Sequence, residues 1–331
     1  MQQAANLIKS RENILIMTHK NPDGDAIGSV LGLAHGLESL GKKVECFSKD
    51  TIPKIFDFLP NVSKIKNQTI YEKYELVILL DCAFFDRTGI ENIKEITSSF
   101  SDILIIDHHP KDKTGCDYYK KCIFIIDPKA SSTAVLIYEL LKKTGIKITK
   151  DIANCLLTGI FTDTGGFQHD NTDSKSLKAA AEFMKKGSRV DKITKNIFSN
   201  KSMAAIKLWG IALSRIKTDP ETGMAVSYVS KKDIEDFGAK EEDLSGLVNV
   251  INTISDAKFS LLLTESGNNK IKGSLRSENY KGIDVSKIAR SLGGGGHKLA
   301  SGFEFDGDLQ NNIAKISEII LKSNQDINYG L

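Results

Sequence analysis

Short, nearly unbroken apolar runs alternate with amphipathic stretches through the first half of the chain. NILIM (13–17) reads as a strand, followed by a turn and an apolar-periodic helix over about 26–40 that Gly41 stops. KVECF (43–47), ELVILLD (75–81) and DILIIDHH (102–109) read as further strands. Their near-continuous hydrophobicity predicts burial on both faces, as in a parallel sheet covered by helices. Segments 133–143, 152–161 and 174–186 read as helices, which makes the first part an α/β layer domain. A helical stretch over 190–213 follows and holds the single tryptophan, Trp209. The period then changes. MAVSYVS (224–230), KFSLLLTE (258–265) and KIKGSLRS (270–277) alternate like strands, and ESGNNK (265–270) reads as a hairpin turn. The predicted fold class is α/β: an N-terminal parallel-sheet domain over 1–187, a helical linker over 188–217 and a smaller α+β domain over 218–325.

Composition narrows the function. With 331 residues, 40% hydrophobic and 26% charged, the chain is not disordered as a whole. A net charge of +3 is too balanced for coating nucleic acid by charge alone. From Thr218 onward, 13 Lys+Arg face 17 Asp+Glu, a net −4, whereas the rest carries +7. A second domain that gripped long duplex should instead be basic. No apolar run approaches the roughly 20 residues that span a bilayer, and the N-terminus lacks a signal-peptide core. The five cysteines, Cys46, Cys82, Cys116, Cys122 and Cys155, are odd in number and form no CxxC pair. That argues against a disulfide framework and a thiolate zinc site, and for a reducing cytoplasm.

The chemistry-bearing residues stand where predicted strands stop. His19, Asp23 and Asp25 follow the first strand, Asp81 follows ELVILL, and Asp107, His108 and His109 follow DILII. Asp163 lies at a helix end, in FTDTGG. In open parallel sheets ligands bind beyond the carboxyl ends of strands, so three of these clusters converge by topology. Imidazole and carboxylate donors suit Mn²⁺, Fe²⁺, Co²⁺ or Zn²⁺, and an oxygen-rich site points to Mn²⁺ or Mg²⁺. Six or seven such side chains exceed what one ion takes. They suit two ions about 3.5–4 Å apart, bridged by one carboxylate. Two such cations lower the pKa of a water and supply a nucleophile, which fits hydrolysis of a phosphate ester.

Singly, each cluster has a plainer reading. Asp25 reads equally well as the N-cap of the helix that begins at Ala26, Asp81 as a polar strand end, and 107–109 as a solvated strand terminus. Their joint appearance at successive strand ends disfavours those readings. His35 reads as structural and His169 as loop surface.

A second special segment is SLGGGGHKLASGF (291–303). Its glycines, Gly295 and Gly296 among them, let backbone N–H groups approach an anion, with His297 following at once. In GSLRS, Ser274 and Arg276 share one strand face, and Arg276 can fork onto phosphate oxygens. A P-loop is excluded, because no Gly-Lys-Ser/Thr precedes a helix.

HKNPDGDAIGS, the strand-end Asp81, Asp107-His108-His109 and FTDTGG resemble, in order, the motifs of the DHH phosphoesterase superfamily. GSLRS followed by DVSKIARSLGGGGHKLASG resembles its associated C-terminal substrate domain. The match runs from about Asn13 to Phe305. Without membrane or sensory modules, the chain looks like the NrnA-type oligoribonuclease and 3′-phosphoadenosine 5′-phosphate (pAp) phosphatase group. The resemblance implies two Mn²⁺ ions, with Mg²⁺ or Co²⁺ as substitutes. His19 and Asp23 match ligands of one ion, Asp25, His108 and Asp163 those of the other, and Asp81 the bridging carboxylate. His109 matches a contact to the substrate phosphate, and Asp107 orients a histidine. Arg276 and His297 match phosphate and nucleotide contacts. Gly166 stands where some relatives carry arginine, and Arg87 is a weaker candidate for substrate contact.

The implied activity is hydrolysis of short oligoribonucleotides to 5′-mononucleotides, and of pAp, in a cleft between the two domains. Cyclic di-AMP cleavage is the nearest alternative, and a non-catalytic nucleotide-binding regulator the remote one. The ligand set is unbroken, which argues against the regulator. The GGGGH domain argues against inorganic pyrophosphate as substrate. Short oligonucleotides or small nucleotides are the expected partners, without long duplex or membrane. A homodimer is compatible with the sequence.

Overall fold

The apolar runs of the first half form a six-stranded, wholly parallel sheet. The computed structural model describes residues 1–69, 73–91, 100–109, 122–198, 201–266, 269–296 and 298–328. The sheet strands are β1 (Asn13–Met17), β2 (Lys43–Phe47), β3 (Ile65–Lys66), β4 (Leu76–Leu80), β5 (Asp102–Asp107) and β6 (Cys122–Ile126). Their order is β3-β2-β1-β4-β5-β6. Chain direction across the sheet therefore reverses between β1 and β4, which pair in parallel as neighbours. That reversal opens a crevice at the carboxyl ends of those two strands.

Both faces of the sheet are buried, as the unbroken hydrophobicity predicted. Ile14, Ile16, Ile78, Leu80, Leu104 and Ile106 pack on one side with the helices. Leu15, Met17, Val77, Leu79, Ile103 and Ile105 pack on the other with Phe47, Tyr74 and Phe85. The covering helices are α1 (Gln2–Ser10), α2 (Gly24–Glu38), α3 (Thr133–Thr144), α4 (Lys150–Asp163), α5 (Ser174–Lys185) and α6 (Val190–Ile197). Neither α1 nor β6 was read from the sequence. Both are short, and β6 is only partly buried.

The chain divides into Met1–Ser199 and Asn200–Leu331. The helical stretch over 190–213 is two helices: α6 belongs to the first unit, and α7 (Met203–Ser214) to the second. The break has a local cause, since the Ser202 side chain accepts the N–H of Ala205 and starts α7 afresh.

The second unit is a mixed sheet of β7 (Lys217–Asp219), β8 (Met224–Val229), β9 (Phe259–Ser266), β10 (Lys270–Ser277), β11 (Gly295–Gly296) and β12 (Ala300–Asp306). The order is β11-β12-β10-β9-β8-β7. β9 and β10 pair antiparallel from Lys270 opposite Ser266, as the expected hairpin requires, and residues 267 and 268 of its turn lie outside the described residues. Short helices α8 (Lys231–Asp236), α9 (Leu247–Ile251) and α10 (Val285–Ser291), with the longer α11 (Leu309–Asn328), complete this unit. Phe259, Leu261, Leu263, Ile271 and Leu275 bury against α10 and α11. Leu262, on the opposite face, meets α7 and α9. Among the described residues, no helix is long and apolar enough to cross a membrane. Cys46, Cys82, Cys122 and Cys155 are free thiols, and Cys116 lies outside the described residues.

One ion pair anchors α8. Arg215 grips Asp233 with both nitrogens, at 2.5 and 2.8 Å, and Asp233 also accepts the N–H and hydroxyl of Ser230. The Arg215 hydrogen bond, followed by those from Ser230, holds the Asp233 carboxyl down at about 2. A carboxyl depressed on folding stabilises at pH above its unfolded value, and that stability is lost as pH falls through its folded value. Asp233→Asn should therefore cost about 1–2 kcal/mol at pH 7, allowing for solvent screening. The difference from wild type should vanish between pH 4 and 2. Urea unfolding of both proteins across that window checks it; a pH-independent difference would assign the loss to packing instead.

Candidate metal centre

The two strands at the reversal place the first donors. Thr18 Oγ1 donates to the carbonyl of Leu80 at 3.0 Å, tying the end of β1 to the end of β4. His19 follows, and its Nδ1 lies 2.8 Å from the carbonyl of Lys20. A carbonyl there fixes the proton on Nδ1 and turns Nε2 outward as a lone pair. Asp81 follows β4 directly and stands in the left-handed region at φ 55°, uncommon for a residue other than glycine. Its N–H donates to Ile106 at 3.0 Å, so the turn is locked to β5. This turn aims the carboxylate across the crevice. Asp81 Oδ2 lies 3.6 Å from His19 Nε2, and Oδ1 lies 3.7 Å from His108 Nε2. Each oxygen of one buried carboxylate thus faces a different histidine.

Helix α2 supplies the aspartates, with their roles exchanged from the capping reading. Asp23 is the N-cap and accepts the N–H groups of Asp25 and Ala26, both at 3.0 Å. Asp25 sits inside the first turn. Its carboxylate accepts the N–H groups of Thr133 at 2.6 Å and Ala134 at 3.0 Å. It is thereby seated on the N-terminus of α3, where backbone N–H groups favour negative charge. Asp163, the last residue of α4, comes alongside because α2 and α4 touch at backbone distance. A Cβ on Gly24 would meet the Thr162 side chain at 2.4 Å, and one on Gly28 would meet the Cys155 carbonyl oxygen at 2.4 Å and the Gly159 nitrogen at 2.9 Å. Main chain cannot rotate away as a side chain can. Gly28→Ala should force the helices apart and cost about 1–3 kcal/mol. A lowered urea midpoint with unchanged slope would register this, and an unchanged midpoint would show that the helices have room.

Beyond β5, the Nδ1 of His108 lies 3.2 Å from the Ala130 carbonyl, the same arrangement as in His19. Asp107 accepts from the backbone N–H of His109 at 2.9 Å and holds its Nδ1 at 2.5 Å. Among the described residues, donor atoms fall within 4.8 Å of one another in three groups: His19, Asp23 and Asp81; Asp25, His108 and Asp163; Asp81, His108 and His109.

The chemistry of this cluster fits a divalent metal. His108 Nε2 and Asp163 Oδ2 are buried, 3.4 Å apart, and neither makes a hydrogen bond among the described residues. Burial first, then the charge of Asp81, pushes the carboxyls of Asp25 and Asp163 well above the usual range. Asp23 is raised the same way by crowding protein and by Asp81, though the residue itself reaches the surface. Burial alone would also raise Asp81, but the facing His19 imidazole and the charges of His109 and His108 outweigh it and hold it low. In His19, burial works against protonation, yet the nearby carboxylate of Asp81 and the charge of Asp23 raise its pKa. So many carboxylates in one buried volume repel one another without a cation, and a bound cation reverses that logic.

The structure thus gathers His19, Asp23, Asp25, Asp81, Asp107, His108, His109 and Asp163. Arg87 is exposed, on a turn whose Arg87 carbonyl accepts the N–H of Lys20 at 2.9 Å. The other predicted contacts lie in the second unit. Ser274 and Arg276 do share a face of β10, opposite Gly302 and Ala300 of β12. Arg276 donates to Asn249 Oδ1 at 3.0 Å and to the Leu275 carbonyl at 2.8 Å, and no carboxylate pairs with it among the described residues. Gly295 and Gly296 form the edge strand β11, opposite Gly302 and Ser301. His297 lies outside the described residues.

Sequence reasoning missed Thr133, whose Oγ1 donates to Asp81 Oδ1 at 3.0 Å. The run Ser131-Ser132-Thr133, beyond the apolar CIFII of β6, was the available signal.

A family model for the DHH family N-terminal domain matches residues 13–160, and a DHHA1 domain model matches 221–323. A bifunctional oligoribonuclease and PAP phosphatase NrnA from Thermus thermophilus is 31% identical over 97% of this chain and 93% of its own. The chain belongs to the DHH family. Bacillus subtilis NrnA, described in the same words, is also 31% identical, over 88% of each chain. The crystal structure of an exopolyphosphatase-related protein from Bacteroides fragilis superposes with a TM-score of 0.88, at 28% identity, over 98% of this chain and 96% of that one. DHH membership makes this chain a hydrolase of phosphoester bonds, a phosphodiesterase or phosphatase.

Proposed function

We propose that this protein hydrolyses short oligoribonucleotides to 5′-mononucleotides and pAp to AMP, with two Mn²⁺ ions as cofactors. The observation that carries the reading is Asp81, whose two oxygens face separate donor groups. In this reading His19 and Asp23 hold one ion, Asp25, His108 and Asp163 hold the other, and Asp81 is shared. Imidazole with carboxylate, and no thiolate, suits Mn²⁺, with Mg²⁺ or Co²⁺ as substitutes. When bound, such ions polarise a phosphoryl oxygen and lower the pKa of water.

The remaining steps belong to the chain. His109 has its Nδ1 taken by Asp107 at 2.5 Å, so proton exchange with a substrate oxygen runs through Nε2. Asp107 holds that ring in place. Arg276, with Ser274 beside it, offers a planar fork to a second phosphate. The NrnA relatives are named for oligoribonucleotide and PAP hydrolysis, which supports the same substrates here. The net −4 charge from Thr218 onward fits substrates of few phosphates.

The test is one assay with purified protein and Mn²⁺, comparing a dinucleotide, pAp and cyclic di-AMP. Dinucleotide and pAp should both be cleaved, with cyclic di-AMP slower by roughly tenfold or more. Chelation should stop all turnover and Mn²⁺ should restore it. Preferred cleavage of the cyclic dinucleotide would overturn the substrate assignment, and full activity after chelation would overturn the metals.

A further inference from the structure

The loop after α4 turns back on the helix end. Gly165, Gly166 and Phe167 all take left-handed φ values of 57°, 71° and 68°. The N–H groups of Gln168 and His169 then donate to the Thr164 carbonyl at 2.9 and 3.0 Å. This brings the Asn171 carboxamide against two main-chain carbonyls. Its Nδ2 donates to Ser131 at 2.9 Å and to Asp163 at 3.2 Å. Ser131 adjoins Ala130, the carbonyl that orients His108. Asp163 is the residue whose carboxylate faces His108 Nε2. One amide group therefore joins the two backbone segments that set the separation of a buried, unbonded donor pair.

We propose that Asn171 is a positioning residue for the metal position formed by Asp25, His108 and Asp163, and that it sets divalent-cation affinity there. The inference rests on the metal reading given above. An amide nitrogen has two protons, one for each carbonyl. Aspartate, of the same size, would set oxygen against oxygen at both. Among the described residues Asn171 bonds only main chain, so its effect on an ion runs through where His108 and Asp163 stand. Partners bonded directly to ligand side chains change affinity by about 10–100-fold when removed, and an anchor acting through main chain should reach the lower end of that range.

The experiment is calorimetric titration of Mn²⁺ into the full chain after chelation, without substrate. Wild type, Asn171→Ala, Asn171→Asp, Asp23→Asn and the Asn171→Ala/Asp23→Asn double variant are compared, and the metal-free melting temperature of each is recorded. Asn171→Ala should weaken one Mn²⁺ equivalent by roughly 10-fold, and Asn171→Asp at least as much, with the metal-free protein still folded and its melting temperature lowered by only a few degrees. Asp23→Asn should weaken the other equivalent, and the double variant should show both losses. Unaltered Mn²⁺ binding in both Asn171 variants overturns the proposal. So does weakening of both equivalents together with a larger fall in metal-free melting temperature, which would make Asn171 a general structural residue. A wild type that binds a single equivalent would refute the two-ion reading separately. In that case weakening of that one ion by Asn171→Ala still supports the positioning role, and no change still overturns it.

Discussion

Asp81→Asn should lower kcat on a dinucleotide by at least ~10³-fold while leaving the metal-free protein folded. The substitution keeps the shape of the side chain, and asparagine tolerates the left-handed backbone that this position requires at φ 55°. It removes the charge that faces His19 on one side and His108 on the other. In the metal-free protein two effects oppose. The histidines lose their partner, but Asp25, Asp163 and Asp23 are relieved of a neighbouring charge that raises their pKa values. Metal-free stability should consequently stay within about 1–2 kcal/mol of wild type, whereas the stabilisation gained on adding Mn²⁺ should largely disappear. Thermal melts with chelator and with Mn²⁺, run beside the kinetic assay, separate the two. Activity within a few-fold of wild type would show that Asp81 is not shared between ions.

Arg276→Ala should raise KM for a dinucleotide or pAp by roughly 10–150-fold, the loss of a charged hydrogen bond worth about 1.5–3 kcal/mol. Its guanidinium is held by the neutral partners Asn249 and the Leu275 carbonyl, so its charge is available to an anion. Bis-p-nitrophenyl phosphate offers only the reacting phosphate, and its hydrolysis should hardly change. Asp163→Ala should abolish turnover of both substrates. Equal damage to both by Arg276→Ala would place the arginine at the reacting phosphate. Arg276→Lys should recover only part of the loss, because it restores charge without the fork.

The sheet and the strand-end clusters were legible for one reason. Strands buried on both faces must be almost wholly apolar, so the first polar residue after each one stands out. Asp81 after LVILL and His108 after DILIID are such residues. Less legible was anything set by contact between distant segments. By sequence Asp25 is a plausible cap; α3, approaching from 108 residues away, decides that it faces inward, and Asp23 caps the helix instead. Thr133 and Asn171 are common polar residues in a loop or at a helix start, and only tertiary structure gives them carboxylate or carbonyl partners. The strand β6 was overlooked because CIFII is short and, by periodicity alone, could equally belong to a helix. The glycine run was read as an anion cradle. Gly294, where a Cβ would meet the Gly302 carbonyl oxygen at 2.2 Å, shows a further demand on that run, namely close approach to β12.

The backbone contact between α2 and α4 bears on which ion the centre prefers. Asp25 and Asp163 ride on helices that already touch through Gly28 and Gly159, with Asp25 Oδ1 only 2.7 Å from where a Gly159 Cβ would stand. Two carboxylates mounted on such a frame cannot spread by helix sliding; only their side-chain torsions can adjust. Ca²⁺ asks for oxygen ligands at 2.3–2.6 Å and flexible coordination, whereas Mg²⁺ asks for about 2.0–2.1 Å and near-octahedral geometry. On the metal reading proposed above, such a frame should favour the smaller ions and leave Ca²⁺ as a poor competitor, which a Ca²⁺ competition titration checks.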